Sequence, residues 1–73
     1  MKPPLLSGNE VIHVFLRAGY NKLGQRGSHV KLFNPATQTT LIIPNHREVD
    51  RWTLKSIIKD AGMSVEEFLK LAK

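Results

Sequence analysis

The chain has 73 residues, no cysteine, and 11 lysines and arginines against 6 acidic residues, which gives a formal net charge of +5. This length predicts one domain with a small core, and the lack of cysteine excludes disulfides and thiolate zinc sites. The positive charge favours polyanionic partners such as nucleic acid, and it is concentrated between residues 20 and 59, with seven cations against two acids. No apolar run suits a transmembrane helix or a secretory signal, so we expect a cytoplasmic protein with no membrane partner.

The N-terminal part predicts an extended lead-in over residues 1–6, followed by a helix. Ser7 and Glu10 match a capping box, in which each side chain accepts a hydrogen bond from the other residue's backbone. The helix is predicted to run to about Ala18, where Gly19 can adopt the left-handed conformation that ends it. Its apolar positions form one stripe, which we expect to face the core: Val11, Ile12, Phe15, Leu16 and Ala18.

Three strands are predicted next. Residues 20–25 are a weak candidate, residues 29–33 alternate between polar and apolar, and residues 39–43 are β-branched and precede Pro44. The connections between them are short turns, at Arg26-Gly27-Ser28 and from Asn34 to Gln38. Strands joined by such short turns form an antiparallel meander.

Two more helices complete the prediction. Residues 45–52 form a polar loop, and Thr53 is expected to cap a second helix that ends at Gly62. Ser64 and Glu67 form another capping box, which opens a short third helix. The expected apolar positions of these two helices are Leu54, Ile57, Ile58, Ala61, Val65, Phe68, Leu69 and Ala72.

The predicted fold class is therefore α+β, with the order α-β-β-β-α plus a terminal helix. Residues 1–73 form a single domain, with the core at 7–62 and the terminal helix at 63–73. Helices that precede and follow the strands of an antiparallel sheet along the chain pack on one face of the sheet and leave the other face free. Val30 and Leu32 should point to the helices, while His29 and Lys31 should point to the open face.

The turn that leads into His29 has the residue types needed for RNA cleavage. RNA carries its own nucleophile, the 2′-hydroxyl, and histidine side chains, with an ordinary pKa of about 6.5, can remove its proton near neutral pH. Arg26, Lys31 or the backbone amides around Gly27 are candidates to stabilise the negative charge on the phosphate, and Ser28 to bind a phosphate oxygen or orient the ring. The expected products are a 2′,3′-cyclic phosphate and a 5′-hydroxyl, with no metal or other cofactor.

Each of these residues also has a structural interpretation. His29 could be a strand histidine hydrogen-bonded to its turn, and Gly27 a turn glycine. His46 could be a second proton-transfer group or a plain loop residue, and His13 is expected to be incidental on an exposed helix face. A two-metal route lacks support, because the middle of the chain offers only Glu48 and Asp50 as carboxylates.

The remaining cations and aromatic residues leave alternatives open. Lys55 and Lys59 lie one helical turn apart, and either follow a phosphate backbone or form a solvated face. The aromatic residues are too few for a base-stacking platform and are interpreted as core or sheet-edge residues: Tyr20, Phe33 and Trp52.

The sequence as a whole resembles HicA-type toxins over about residues 8–68. The resemblance rests on three motifs in order, each at the family's spacing. These motifs are Gly27-Ser28-His29 preceded by Gln25, Pro44-Asn45-His46, and the run from Thr53-Leu54 to Gly62.

The resemblance implies a fold like a double-stranded-RNA-binding domain. It also implies a ribosome-independent endoribonuclease that cleaves mRNA and arrests translation, and a HicB-type antitoxin that covers the active site. The family's catalytic histidine corresponds to His29. Gly27 and Ser28 match its turn, and Pro44 and His46 match a motif whose chemical role is not assigned.

Two positions depart from the family pattern. The family often has arginine at the position of Gly24, so a phosphate-contacting cation is missing here or is replaced by Lys22 or Arg26. The family usually has glycine before the threonine that is expected to cap the second helix, where this chain has Trp52. A ring at that position either alters the approach of RNA or antitoxin or packs on the sheet edge.

Three functions remain open from the sequence. The first, which we favour, is a metal-independent endoribonuclease toxin. The second is a double-stranded-RNA-binding module without catalysis, whose binding depends on Lys31, Lys55 and Lys59 but not on His29. The third is an interaction protein whose basic face docks an acidic partner and has no affinity for RNA.

Overall fold

The computed structural model of the protein describes residues 3–72, so Met1 and Lys2 of the predicted lead-in and Lys73 of the predicted terminal helix lie outside the described residues. In chain order the elements are α1 (Gly8–Arg17), β1 (Asn21–Arg26), β2 (His29–Asn34), β3 (Thr39–Pro44), α2 (Arg51–Asp60) and α3 (Val65–Ala72). The strands form one antiparallel sheet in the order β1-β2-β3. The predicted α+β fold, like a double-stranded-RNA-binding domain, is confirmed.

Both predicted capping boxes are present. At α1 the backbone N–H of Ser7 donates to the Glu10 carboxylate at 2.9 Å, and the N–H of Glu10 donates to Ser7 Oγ at 3.1 Å. At α3 the same pair of bonds joins Ser64 and Glu67, at 3.0 and 3.1 Å. The backbone hydrogen bond from Ser7 lowers the pKa of Glu10 below its ordinary value of 4.5, and the bond from Ser64 lowers the pKa of Glu67 in the same way.

These two lowered pKa values predict a loss of stability in acid. A carboxyl group whose pKa is lower in the folded state stabilises the fold above its ordinary pKa, and that contribution is lost as the pH falls through the lowered value. We expect the urea midpoint to fall as the pH drops below 4.5, and to fall less in the variant Glu10→Gln/Glu67→Gln. Glu66→Gln, in the first turn of α3, is the matched control. An equal acid sensitivity of the double variant and the parent would contradict the assignment.

The start of α2 corrects the sequence prediction. The helix begins at Arg51 with Asp50 as its N-cap, because the Asp50 carboxylate accepts hydrogen bonds from the backbone N–H of Thr53 at 3.2 Å and from its hydroxyl at 3.3 Å. Thr53 therefore donates to the cap instead of being the cap. The preceding loop is not wholly polar either, since Val49 is buried and forms a β-bridge with Leu6.

The core lies between the helices and one face of the sheet. α1 and α2 both contact β3, and α3 contacts α1 and α2. The prediction for α1 was wrong at two positions, because Leu16 is exposed and Val14 is buried. The buried hydrophobic residues are Val11, Ile12, Val14, Phe15, Tyr20, Val30, Leu32, Leu41, Ile43, Val49, Leu54, Ile57, Ile58 and Phe68.

Candidate functional site

The strand register places Arg26, His29 and Pro44 in one row across the sheet. Arg26 pairs with His29 between β1 and β2, and His29 pairs with Pro44 between β2 and β3. Residues that pair directly in antiparallel strands project to the same face. Along β2, Val30 and Leu32 are buried while His29 and Lys31 are exposed, so this row lies on the face that the helices leave open, as predicted. His29 therefore presents its imidazole beside a guanidinium-bearing side chain.

The next row on the open face consists of Gly24, Lys31 and Ile42. A side chain at position 24 would stand directly beside Lys31, and nothing lies within 4 Å of the point that a Cβ atom at Gly24 would occupy. Ile42 on the other side is 48% exposed. Lys31 and Arg26 are thus the cations that the register places on the face of His29.

Lys22 lies on the other face of the sheet. It pairs with the buried Leu32, next to an irregularity in the β1 register, so it shares the helix side. Its ammonium donates to Gln25 Oε1 at 3.3 Å, and Gln25 Nε2 donates to the carbonyl oxygen of Gly27 at 2.9 Å. Lys22 is therefore linked to the turn through Gln25 and does not replace an open-face cation at Gly24.

The turn between β1 and β2 consists of Gly27 and Ser28. Gly27 has φ +61°, which favours glycine over residues with a side chain. The carbonyl oxygen of Ser28 accepts a hydrogen bond from the backbone N–H of Asn45 at 2.6 Å. The backbone that leads into His29 is thus held on both sides, by Gln25 on β1 and by the residue that follows β3.

The loop after β3 packs closely against the first residue of α1. The backbone N–H of Gly8 donates to the carbonyl oxygen of His46 at 2.8 Å. A Cβ atom added to Gly8 would lie 2.3 Å from the carbonyl oxygen of Pro44 and 2.5 Å from the Cα atom of Asn45. We call the contacts of Gly8, Ser28 and residues 44–46 the backbone junction. It brings the two histidine motifs of the sequence together, and the side chain of His46 is exposed there.

Sequence reasoning did not assign a role to Gly8, Gln25 or Asn45 in the site. The sequence contained a weak signal for Gly8. Glycine has a lower helix propensity than most residues, so its presence in the first turn of a helix indicates a role other than helix formation. Asn45 contributes its backbone N–H to the junction, so its residue type carries no signal at all.

The candidate cations of α2 lie elsewhere. Lys55 and Lys59 line a groove between α2 and the start of α3, together with Trp52. α2 belongs to the helix layer, whereas His29 lies on the open face of the sheet. Trp52 is 78% exposed, so the interpretation of this ring as a sheet-edge packing residue is wrong.

Two further properties of the described residues concern metal binding and membrane spans. Within residues 3–72, no three histidine, aspartate or glutamate side chains are grouped closely enough to hold a metal ion. Over the same part of the chain, none of the helices is both long and apolar enough to span a membrane.

The comparison with protein families identifies the class of this small α+β protein. The family described as the HicA toxin of bacterial toxin-antitoxin systems matches residues 8–63, from the start of α1 to just beyond α2. The match includes every residue of the backbone junction and the turn of His29. The chain belongs to this family and is a toxin of a toxin–antitoxin system, a class that implies an antitoxin partner. A comparison with curated proteins found no match.

Proposed function

We propose that this toxin is an endoribonuclease that cleaves mRNA in the cytoplasm and so blocks translation, with His29 as its general acid and base. The observation that supports this most directly is the row in which the exposed His29 pairs with Arg26. The backbone hydrogen bonds of the turn support it further, because a catalytic side chain must be held in one position to act efficiently.

In this mechanism the RNA supplies the nucleophile. The neutral imidazole of His29 accepts the proton of a 2′-hydroxyl, whose oxygen then attacks the adjacent phosphorus and displaces the 5′-oxygen of the next nucleotide. The leaving oxygen takes up a proton, from the same imidazolium or from His46. The products are a 2′,3′-cyclic phosphate and a 5′-hydroxyl, and the chain needs no metal for these steps.

Charge on the phosphate is stabilised by the basic part of the open face. Arg26 lies directly across from His29, and its planar guanidinium can donate two hydrogen bonds to one phosphate. Lys31 lies two residues further along the same strand and binds a neighbouring phosphate. Gly27 and Ser28 contribute backbone and hydroxyl donors at the turn.

We also propose that the antitoxin is of the HicB type and inhibits by covering this open face. The face is basic through Arg26 and Lys31, and it carries the exposed apolar side chain of Ile42. A partner with acidic and apolar side chains would complement both features. Occupation of this face would exclude RNA from His29.

The test of the nuclease is cleavage of an unstructured RNA by the purified protein in EDTA. We expect cleavage of the RNA, with cyclic-phosphate and 5′-hydroxyl ends, and none of a matched 2′-O-methyl RNA, which lacks the nucleophile. Cleavage of the methylated strand, or cleavage only after a divalent metal is added, would contradict the mechanism. RNA binding without any cleavage would favour the non-catalytic double-stranded-RNA-binding module instead.

A further inference from the structure

The groove beside α2 has a volume of about 440 Å³ and lies on the helix layer, away from the open face. It is lined by Trp52, Lys55, Ser56, Ile58, Lys59, Met63, Ser64 and Val65. Its floor is apolar and its rim carries two cations. None of the steps proposed for His29 uses this groove.

Helical periodicity explains how α2 builds the rim. Residues three, four and seven apart lie on one face of a helix, so Trp52, Lys55, Ser56 and Lys59 form one stripe. The opposite stripe of α2 supplies the core, through Leu54, Ile57 and Ile58. The exposed stripe therefore begins with a flat aromatic ring and continues with two lysines, whose Cα atoms lie about 6 Å apart along the helix axis.

The chemistry of the groove favours an anionic ligand with a flat apolar part. Among the eight described residues that line it, two are lysines and none is acidic. Trp52 leaves 78% of its surface uncovered, and an indole of this kind stacks well on a nucleobase. A helical peptide would need a longer apolar trough with several pockets in register, whereas this groove has the size of a site for one small ligand.

We propose that the groove is a subsite for one unpaired nucleotide of an RNA chain. Its base stacks on Trp52, and the phosphates on either side pair with Lys55 and Lys59. The inference rests on RNA as the substrate in the proposed function, but it adds a contact surface on the helix layer. It also gives a role to Trp52, whose ring is largely exposed.

Fluorescence provides the test, because Trp52 is the one tryptophan of the chain. The full-length His29→Ala protein is titrated with an oligouridylate RNA of ten nucleotides while the fluorescence of Trp52 is followed. Its affinity is compared with those of His29→Ala/Trp52→Leu and His29→Ala/Trp52→Phe by the fluorescence anisotropy of the same RNA carrying a dye, because these two variants have no tryptophan. RNA is expected to quench Trp52. Removal of the aromatic ring should weaken binding about 5- to 150-fold, as for other base-stacking residues, whereas phenylalanine should retain most of the affinity.

The lysines are tested by the salt dependence of binding in the same His29→Ala protein. Neutralising Lys55 or Lys59 to glutamine should lower the slope of log affinity against log salt by about 0.7 each, the value for one phosphate contact on a single strand. Lys70→Gln, on the exposed side of α3, is the matched control and should leave the slope unchanged.

Three results would overturn the subsite. The first is equal RNA affinity with and without the aromatic ring, and the second is no change in Trp52 fluorescence at saturating RNA. The third is a Trp52 signal that changes with the antitoxin but not with RNA, which would assign the groove to the protein partner. The binding assay does not depend on cleavage. If RNA quenches Trp52 but the parent protein does not cleave RNA, the subsite is supported and the nuclease is rejected. If the parent protein cleaves RNA but RNA does not quench Trp52, only the subsite is rejected.

Discussion

Replacing His29 with alanine is expected to lower the rate of RNA cleavage by about 10²- to 10⁴-fold, the usual contribution of a positioned general acid or base. His29 is exposed on the open face of the sheet, and surface substitutions change the free energy of unfolding by about 0.5 kcal/mol or less. The variant should therefore fold normally and still bind RNA. Initial rates of cleavage, with an RNA-binding assay on the same preparations, measure the two effects separately.

Of the other two histidines, His13 provides the matched control and His46 tests the second proton-transfer role. His13 lies on the exposed side of α1, on the helix layer, so His13→Ala should cleave at the parental rate. His46 lies in the backbone junction, and His46→Ala should show a smaller loss than His29→Ala if it protonates the leaving group. Parental activity in His29→Ala would refute the assignment of the catalytic residue, and a loss in His13→Ala would point to unfolding instead of chemistry.

Gly8→Ala is expected to destabilise the protein by about 2–3 kcal/mol, toward the upper end of the cost of forcing an extra methyl group into a packed site. The added Cβ would stand 2.3 Å from the carbonyl oxygen of Pro44 and 2.5 Å from Cα of Asn45. Both are backbone atoms, so no side chain can rotate away to make room. For a domain of this size the change corresponds to a loss of roughly 10–20 °C in melting temperature.

Gly24→Ala is the control for Gly8→Ala. Nothing lies within 4 Å of a Cβ atom at Gly24, so this variant should melt near the parental temperature. The Gly8 variant should also cleave RNA more slowly at a temperature where it remains folded, because Asn45 donates to the carbonyl oxygen of Ser28 next to His29. Similar melting temperatures for the two variants would show that the loop after β3 yields easily, against the close packing described above.

Sequence predicted those parts of the fold that depend on local patterns. The two capping boxes of α1 and α3 follow from residues three apart. The alternation of β2 follows from Val30 and Leu32 on one face and His29 and Lys31 on the other. Gly27 marks the turn, because its positive φ is a local property of the backbone.

Prediction from the sequence failed where a contact between segments far apart in the chain determines the local structure, and at two positions of α1. Asp50 caps α2 because the chain before it is held by the bridge between Val49 and Leu6, and that pairing joins segments far apart in sequence. The error at Val14 and Leu16 has a local cause instead. Val14 lies three residues after Val11 and belongs to the stripe that helical spacing defines, whereas Leu16 lies five residues after Val11 and falls outside it. The position of Lys22 on the helix side depends on the β1 register, which the sequence left open.

The candidate site was predicted only in part. The motifs around His29 and His46 are visible in the sequence, and the strand pattern places His29 on the open face. The backbone junction is not visible, because its hydrogen bonds join main-chain atoms of Gly8, Ser28, Asn45 and His46. The exposure of Trp52 is not visible in the sequence either, because a large apolar ring is usually at least partly buried.

The backbone junction also bears on when the toxin becomes active during its own synthesis. Its hydrogen bonds reach from Gly8 to His46 and from Ser28 to Asn45. A nascent chain that has not yet emerged from the ribosome as far as Asn45 lacks the contact that holds the turn of His29. We therefore expect chains that terminate before Asn45 to be harmless to the cell that makes them, even when they already contain His29.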